Sequence, residues 1–421
     1  MSLTNTKKSD QLYLTILILP LWTLFLSFKK FRLPQAKNLF WLFCIFLGMI
    51  HIYFPEEDSS ADGTRYAKRL IELNQNPVTL ENFTSSFYED GEFTDIYQPT
   101  ITYLLSLVTG NPRWLFFVFA IVFGFFYSRN IWFVLDKFPK TISFPLILLT
   151  LYYILICPIW NINGVRMWTA LHVFVYGALP YLYNSNRSKL IWCLASIFIH
   201  FAFFFPVIIL LAYYFIPKSI NFLLTFYIIS FFIKEIDFEL IRNFLSSYTP
   251  SFLSFKVNSY INQEYAQQVI EAKKDVNFYI IASEILVRWT TTILLFVSCI
   301  WGKKIIKADK ALYNFICFSL FIYSILNIFS SIPSINRFFT LSQIFAFTSV
   351  ILFYILFKEN NYKQSGISII FKFVPILLLL PIIISLRIGT DYYGVSLFFN
   401  PIAAYFIDDT QPIIHFVKSI F

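Results

Sequence analysis

Residues 112–135 read PRWLFFVFAIVFGFFYSRNIWFVL, a run apolar on every side of any helix it could form. At 1.5 Å per residue such a helix is about 36 Å long, enough to cross a hydrocarbon core of about 30 Å. An all-round apolar helix is either buried in a large core or set in a membrane. Composition decides between them. Of 421 residues 57% are hydrophobic and 21% aromatic, and only 14% are charged, whereas a soluble protein carries about 25% charged residues to face water. Similar runs recur near 11–28, 39–54, 97–109, 142–158, 164–183, 190–216, 219–233, 278–301, 311–330, 336–357 and 368–386. The expectation is an all-α, polytopic integral membrane protein with about 10–12 transmembrane helices.

Three polar stretches separate the runs: 55–96, 234–277 and the tail from 387. The connector 29–38 holds Lys29, Lys30, Arg32 and Lys37, whereas 55–96 holds ten acids against Arg65, Lys68 and Arg69. Basic connectors favour the cytoplasmic side, which places the acidic stretch outside. Lys137 and Lys140, Arg187 and Lys189, Lys303, Lys304, Lys307 and Lys310, and Lys358 and Lys363 extend the pattern. The implied organisation is a single membrane domain, 1–421, with two long external loops, 55–96 and 234–277, and an external C-terminal tail, 387–421. The sides balance only if 97–109 does not cross, and likewise one piece of 190–233, where Pro206 and Pro217 are the candidate breaks.

Both long loops carry amphipathic patterns. After an Asp62-Gly63 turn, residues 64–73 place Tyr66, Leu70 and Leu73 on one side and Arg65, Lys68 and Arg69 on the other, as an interfacial anchor or a lid would. Ile236, Leu240, Ile241, Phe244 and Leu245, then Val257, Tyr260 and Ile261, repeat the pattern. Residues 11–28 follow Lys7 and Lys8 as a signal peptide would, but with no A-x-A-like site behind them they read as a retained first span. The five cysteines lie in or beside apolar runs with no C-x-x-C, as small apolar fillers.

Ionisable groups in apolar segments are costly and therefore candidates for function. Arg166 opens one span and Arg337 another; His172 and His200 lie inside apolar runs; Glu284 and Arg288 stand four apart, the spacing of a helix ion pair. The charge pattern puts Arg166, Arg337 and the basic face of 64–73 on one side. Several guanidinium groups at one membrane face point to a phosphate ligand, which Arg binds bidentately. Neither a P-loop nor a G-x-G-x-x-G is present, and no H-E-x-x-H, so no cofactor, metal or nucleic-acid partner is expected. The energy for a group transfer would then come from an activated, phosphorylated lipid.

The order of these features resembles the EpsG-like branch of Wzy-type polysaccharide polymerases. The resemblance rests on Asn163-Gly164-Val165-Arg166-Met167-Trp168-Thr169-Ala170 and, some thirty residues later, Ile197-Phe198-Ile199-His200. Asp62-Gly63-Thr64-Arg65-Tyr66, Tyr97-Gln98-Pro99, Asn336-Arg337 and Asn400-Pro401 add weaker likenesses. Gln98 stands where an acid is common in the family, and Phe201-Ala202 follow His200 in place of a small hydroxylated residue.

The resemblance implies a metal-independent, GT-C-like glycosyltransferase at the outer face of a bacterial cytoplasmic membrane. It would transfer a growing glycan from undecaprenyl pyrophosphate to the non-reducing end of a new lipid-linked repeat, with a flippase and a chain-length regulator as partners. In that reading Arg166 and Arg337, with Arg65 or Arg69, bind the pyrophosphate, and His200 or Asp62 is the general base. Asn163, Tyr66, His172 and Arg288 are supporting candidates. Two alternatives stay open: a lipid-phosphosugar transferase adding single sugars, with Glu56-Glu57-Asp58 as its acidic element, and a flippase for lipid-linked oligosaccharides.

Overall fold

The computed structural model describes residues 12–53, 62–88, 95–233, 276–360, 365–409 and 411–420. Among these there are helices and no strands. In chain order the main helices are α1 (Pro20–Lys29), α2 (Ala36–Met49), α3 (Asp62–Gln75), α4 (Leu80–Tyr88), α5 (Tyr97–Ser106), α6 (Pro112–Leu135), α7 (Phe144–Leu155) and α8 (Val165–Asn184). They are followed by α9 (Leu190–Ile199), α10 (Phe204–Phe215), α11 (Ile220–Ser230), α12 (Phe278–Trp301), α13 (Lys310–Ile328), α14 (Phe339–Glu359), α15 (Ser365–Phe373) and α16 (Leu379–Gly389). Six helical segments are long and apolar enough to cross a membrane, and α2, α10 and α11 are shorter apolar helices. This is the architecture of a polytopic membrane protein.

Helices α6, α13 and α14 are the most enclosed, while α12 and the α15–α16 segment turn most of their surface outward. Phe318 and Phe345, both fully buried, meet edge to face at 4.9 Å between α13 and α14. Helices α2 and α6 meet backbone to backbone, since a Cβ on Gly48 would stand 2.3 Å from that of Ala120. Small residues permit such approaches where lipid supplies no hydrophobic drive between helices. All five cysteines are free and buried, as fillers should be.

Side-chain contacts define two ends of the bundle. At one, Arg32 donates to the Pro139 carbonyl, Lys137 lies 4.4 Å over Tyr183 and Tyr313 donates to the Lys218 carbonyl at 2.6 Å, so the basic connectors gather together. At the other, the His51 ring stacks on Tyr392 at 5.2 Å, and Arg113 donates to the carbonyls of Tyr405 and Ile407. The residues after α16 are therefore docked on that second end. Helix α5 does not traverse: Asn74 of α3 donates to the Ser106 carbonyl at 2.7 Å, and Tyr97 packs on Phe119 only two turns into α6.

The amphipathic register of 64–73 is as expected, with Tyr66, Ala67, Leu70 and Leu73 buried and Arg65 and Arg69 outward. Its apolar face does not lie on lipid, however, because α5, α6 and the 3-10 turn Ile159–Gly164 cover it. Asp62-Gly63 is the first turn of α3 instead of a turn before it. The Glu284–Arg288 ion pair does not form: both side chains are exposed, and Arg288 donates to Asn327 Oδ1 at 3.1 Å and lies over Phe231. The amphipathic pattern expected within 234–277 and the acids Glu56-Glu57-Asp58 lie outside the described residues.

Candidate functional site at a broken helix

The apolar run 190–216 is two helices, not one. Helix α9 ends at Ile199, His200 takes extended backbone (φ −149°, ψ 115°), and a 3-10 turn Phe201–Phe203 leads into α10. A break inside a membrane frees backbone groups that must be satisfied by protein. Two consecutive residues from the loop before α5 do this. Ile96 N–H donates to the Phe198 carbonyl at 3.0 Å, and Asp95 Oδ1 accepts the Phe201 N–H at 2.8 Å.

The second oxygen of Asp95 gathers the functional groups. Oδ2 accepts from His200 Nδ1 at 2.8 Å and from Arg166 Nη1 at 3.2 Å. Arg166 Nε donates to the Tyr66 hydroxyl at 3.1 Å. The Asp95 side chain is 2% exposed, whereas that of Arg166 is 34% exposed, so the carboxylate is interior and the guanidinium opens outward. Tyr66 reaches the cluster because α3 seats on the turn preceding α8. There Gly63 N–H donates to Asn163 Oδ1 at 3.0 Å, an approach that a Cβ would block at 2.1 Å from the same oxygen. Asn163 also reaches the Tyr392 hydroxyl at 3.4 Å.

Burial pushes the Asp95 carboxyl upward, but the His200 hydrogen bond and charge, the Phe201 N–H and Arg166 outweigh it and hold the group below its ordinary 3.8. An ionised carboxylate can only accept. His200 Nδ1 therefore carries a proton, and Nε2 is left with its lone pair when the ring is neutral. Burial, opposed by Arg166, pushes the Tyr66 phenol up to about 12, so it stays a neutral hydroxyl. One carboxylate thus orients a potential base and a partly exposed cation side by side, the arrangement needed to activate a hydroxyl beside a developing anion.

Of the residues expected from sequence, Arg166, His200 and Tyr66 come together directly, and Asn163 supports them through α3. Asp62 forms an ion pair with Arg65, one turn before Tyr66, and its Oδ2 lies 4.0 Å from where a Cβ on Gly164 would stand. Arg69 approaches Glu72 at 3.9 Å further along the exposed face. Arg337 is exposed at the same end of the bundle, carried there by Phe338 against Phe203 at 5.4 Å, without joining the Asp95 cluster. Arg288 is tied to Asn327 elsewhere on that end. His172 belongs to the core: Nε2 contacts the Cys157 carbonyl at 2.9 Å, and Asn130 donates to its backbone carbonyl at 2.9 Å.

Asp95 is the residue that sequence reasoning missed. It is one of ten acids in 55–96, and its signal is position, directly before the apolar run at Tyr97. Gln98 is buried and spent on Thr102 at 2.9 Å. Among the described residues no group of His, Cys, Asp and Glu could hold a metal. Compared with family models, curated proteins and solved structures, the chain matches none.

Proposed function

We propose that the protein is a membrane glycosyltransferase that polymerises lipid-linked oligosaccharide repeats at the end of the bundle holding Asp95, Arg166 and His200. The observation that carries this reading is the single buried carboxylate shared by His200 Nδ1 and Arg166 Nη1. His200 Nε2 takes the proton of the acceptor sugar hydroxyl. The hydroxyl oxygen bonds to the anomeric carbon of the donor glycan, and the bond from that carbon to the undecaprenyl pyrophosphate oxygen breaks. Arg166 meets the charge that develops on the leaving pyrophosphate, and Arg337, exposed at the same end, is placed to attract the headgroups. Ile96 and Phe198, 48% and 62% exposed beside the cluster, offer apolar surface for the prenyl chains.

The same reading places the basic connectors in the cytoplasm and this end outside a bacterial cytoplasmic membrane. The break at His200 supports it, because Lys189 before α9 and Lys218 after α10 lie among the basic connectors while His200 between them reaches the end that holds Asp95.

A well-placed donor to a developing oxyanion contributes about 2.7–4 kcal/mol. In proteoliposomes supplied with a lipid-linked repeat, Arg166→Ala is expected to slow polymerisation by about 100-fold or more; an unchanged rate would sink the assignment. The same gel separates the alternatives, since ladders mark a polymerase, a single added sugar marks a simple transferase, and transport with no new linkage marks a flippase.

A further inference from the structure

The opposite end of the bundle holds a second constellation of cations that the proposed reaction does not use. Arg129 lies in α6, about 9 Å of helix before Leu135. Its guanidinium donates to Asn38 Oδ1 at 2.7 Å and to Ser128 Oγ at 2.8 Å, and it sits 4.0 Å over Phe125 and 5.0 Å over Trp41. Lys189, just before α9, donates to the Tyr176 hydroxyl at 3.3 Å and lies 4.8 Å over that ring. The rings between the two cations are continuous. Trp41 meets Phe125 at 5.5 Å, Phe125 meets Tyr176 at 6.4 Å, and Tyr176 meets Trp192 at 5.7 Å.

Four helices, α2, α6, α8 and α9, thus build a half-buried aromatic groove with a cation at each margin. The other buried or half-buried arginines of the bundle answer their charge with acids, Arg166 with Asp95 and Arg113 with Asp408. Arg129 and Lys189 have only neutral partners, with no carboxylate within ion-pair distance among the described residues. A charge set among aromatic and aliphatic groups without a counter-ion is costly. Among the described residues nothing supplies that anion, and a ligand from outside the chain would. A guanidinium fork and an ammonium each fit phosphate oxygens, and Trp and Tyr favour the headgroup level of a bilayer. We infer that this groove binds the phosphodiester headgroup of an anionic phospholipid, with an acyl chain lying along the exposed Ile191 and Leu194 of α9, which are 61% and 48% accessible.

The test is native mass spectrometry of the purified full chain titrated with phosphatidylglycerol or phosphatidylcholine. Phosphatidylglycerol should be retained in preference, and Arg129→Gln with Lys189→Gln should lower its retention by roughly 5-fold per charge removed. Lys304→Gln, which removes an exposed charge from another basic connector, should retain it as the wild type does. Should the Gln pair fail to fold, Arg129→Lys is the second variant, and it should keep most of the binding because the charge remains. Equal retention of the two lipids, undiminished retention by the Gln pair, or loss of binding in Arg129→Lys equal to the loss in Lys189→Gln would each overturn the inference. Displacement by inorganic phosphate at the same concentration would also overturn it, by showing that the groove reads a free anion.

Discussion

His172 and His200 lie on neighbouring antiparallel segments, and both are buried, 3% and 7% exposed, yet their surroundings differ in kind. His172 sits inside the unbroken helix α8, between the rings of Phe123 and Tyr127 at 4.7 and 4.9 Å, with a neutral carbonyl and a neutral amide for partners. His200 interrupts its helix and faces a carboxylate that also holds an arginine. Burial is common to both. What separates the two is the charge of the partner and the cost of the backbone around it. The first fixes α8 against α6 and the chain after α7; the second is held open at a place where the chain had to recruit Asp95 and Ile96 to stay hydrogen-bonded.

The comparison can be broken hardest at Asp95. Asp95→Ala removes the acceptor of the Phe201 N–H and leaves Arg166 without its acid, so it should cost about 3–5 kcal/mol and show as failure to accumulate in membranes. Asp95→Asn keeps an oxygen for Phe201 and so should fold, but with His200 no longer oriented by a charge it should lose about 100-fold in polymerisation. On the other side, His172→Ala should lower stability by about 2 kcal/mol, read as a drop in melting temperature. Its activity per folded molecule should stay at the wild-type level.

The smallest effect is in acid. The folded Asp95 carboxyl is held below its ordinary 3.8, so its contribution to stability is complete above that value and is lost as pH falls through the folded value. Acid unfolding of Asp95→Asn should lack this component, and identical pH profiles for the two proteins would remove Asp95 from the linkage.

Much of the fold is written locally. Apolar runs longer than a bilayer core give helices, and the three-to-four spacing of Tyr66, Leu70 and Leu73 gives the buried face of α3 because nothing beyond the segment itself has to be known. What covers that face is a tertiary matter, and protein covers it where the pattern suggested lipid. The break at His200 is illegible for the same reason. No Gly or Pro stands there, and the partners that make it tolerable come from residues 95 and 96. Pro206 instead falls in the first turn of α10, where a missing N–H costs nothing, while Pro217 does mark a connector. Glu284 and Arg288 have ideal spacing, yet Asn327 and the Phe231 ring offer Arg288 more than an exposed acid can. Arg166 and His200 stood out as charges in apolar sequence. Asp95 did not, because an acid among ten acids announces nothing until its depth is known.

The most direct test of the site pairs His200→Gln with His172→Gln in proteoliposomes containing a lipid-linked repeat, with folding of each checked by its melting curve. The expected result is loss of the polysaccharide ladder by about 100-fold or more for His200→Gln at near wild-type stability, and a normal ladder per folded molecule for His172→Gln. A His200→Gln protein that polymerises at the wild-type rate would contradict the assignment of the Asp95 cluster as the reacting centre.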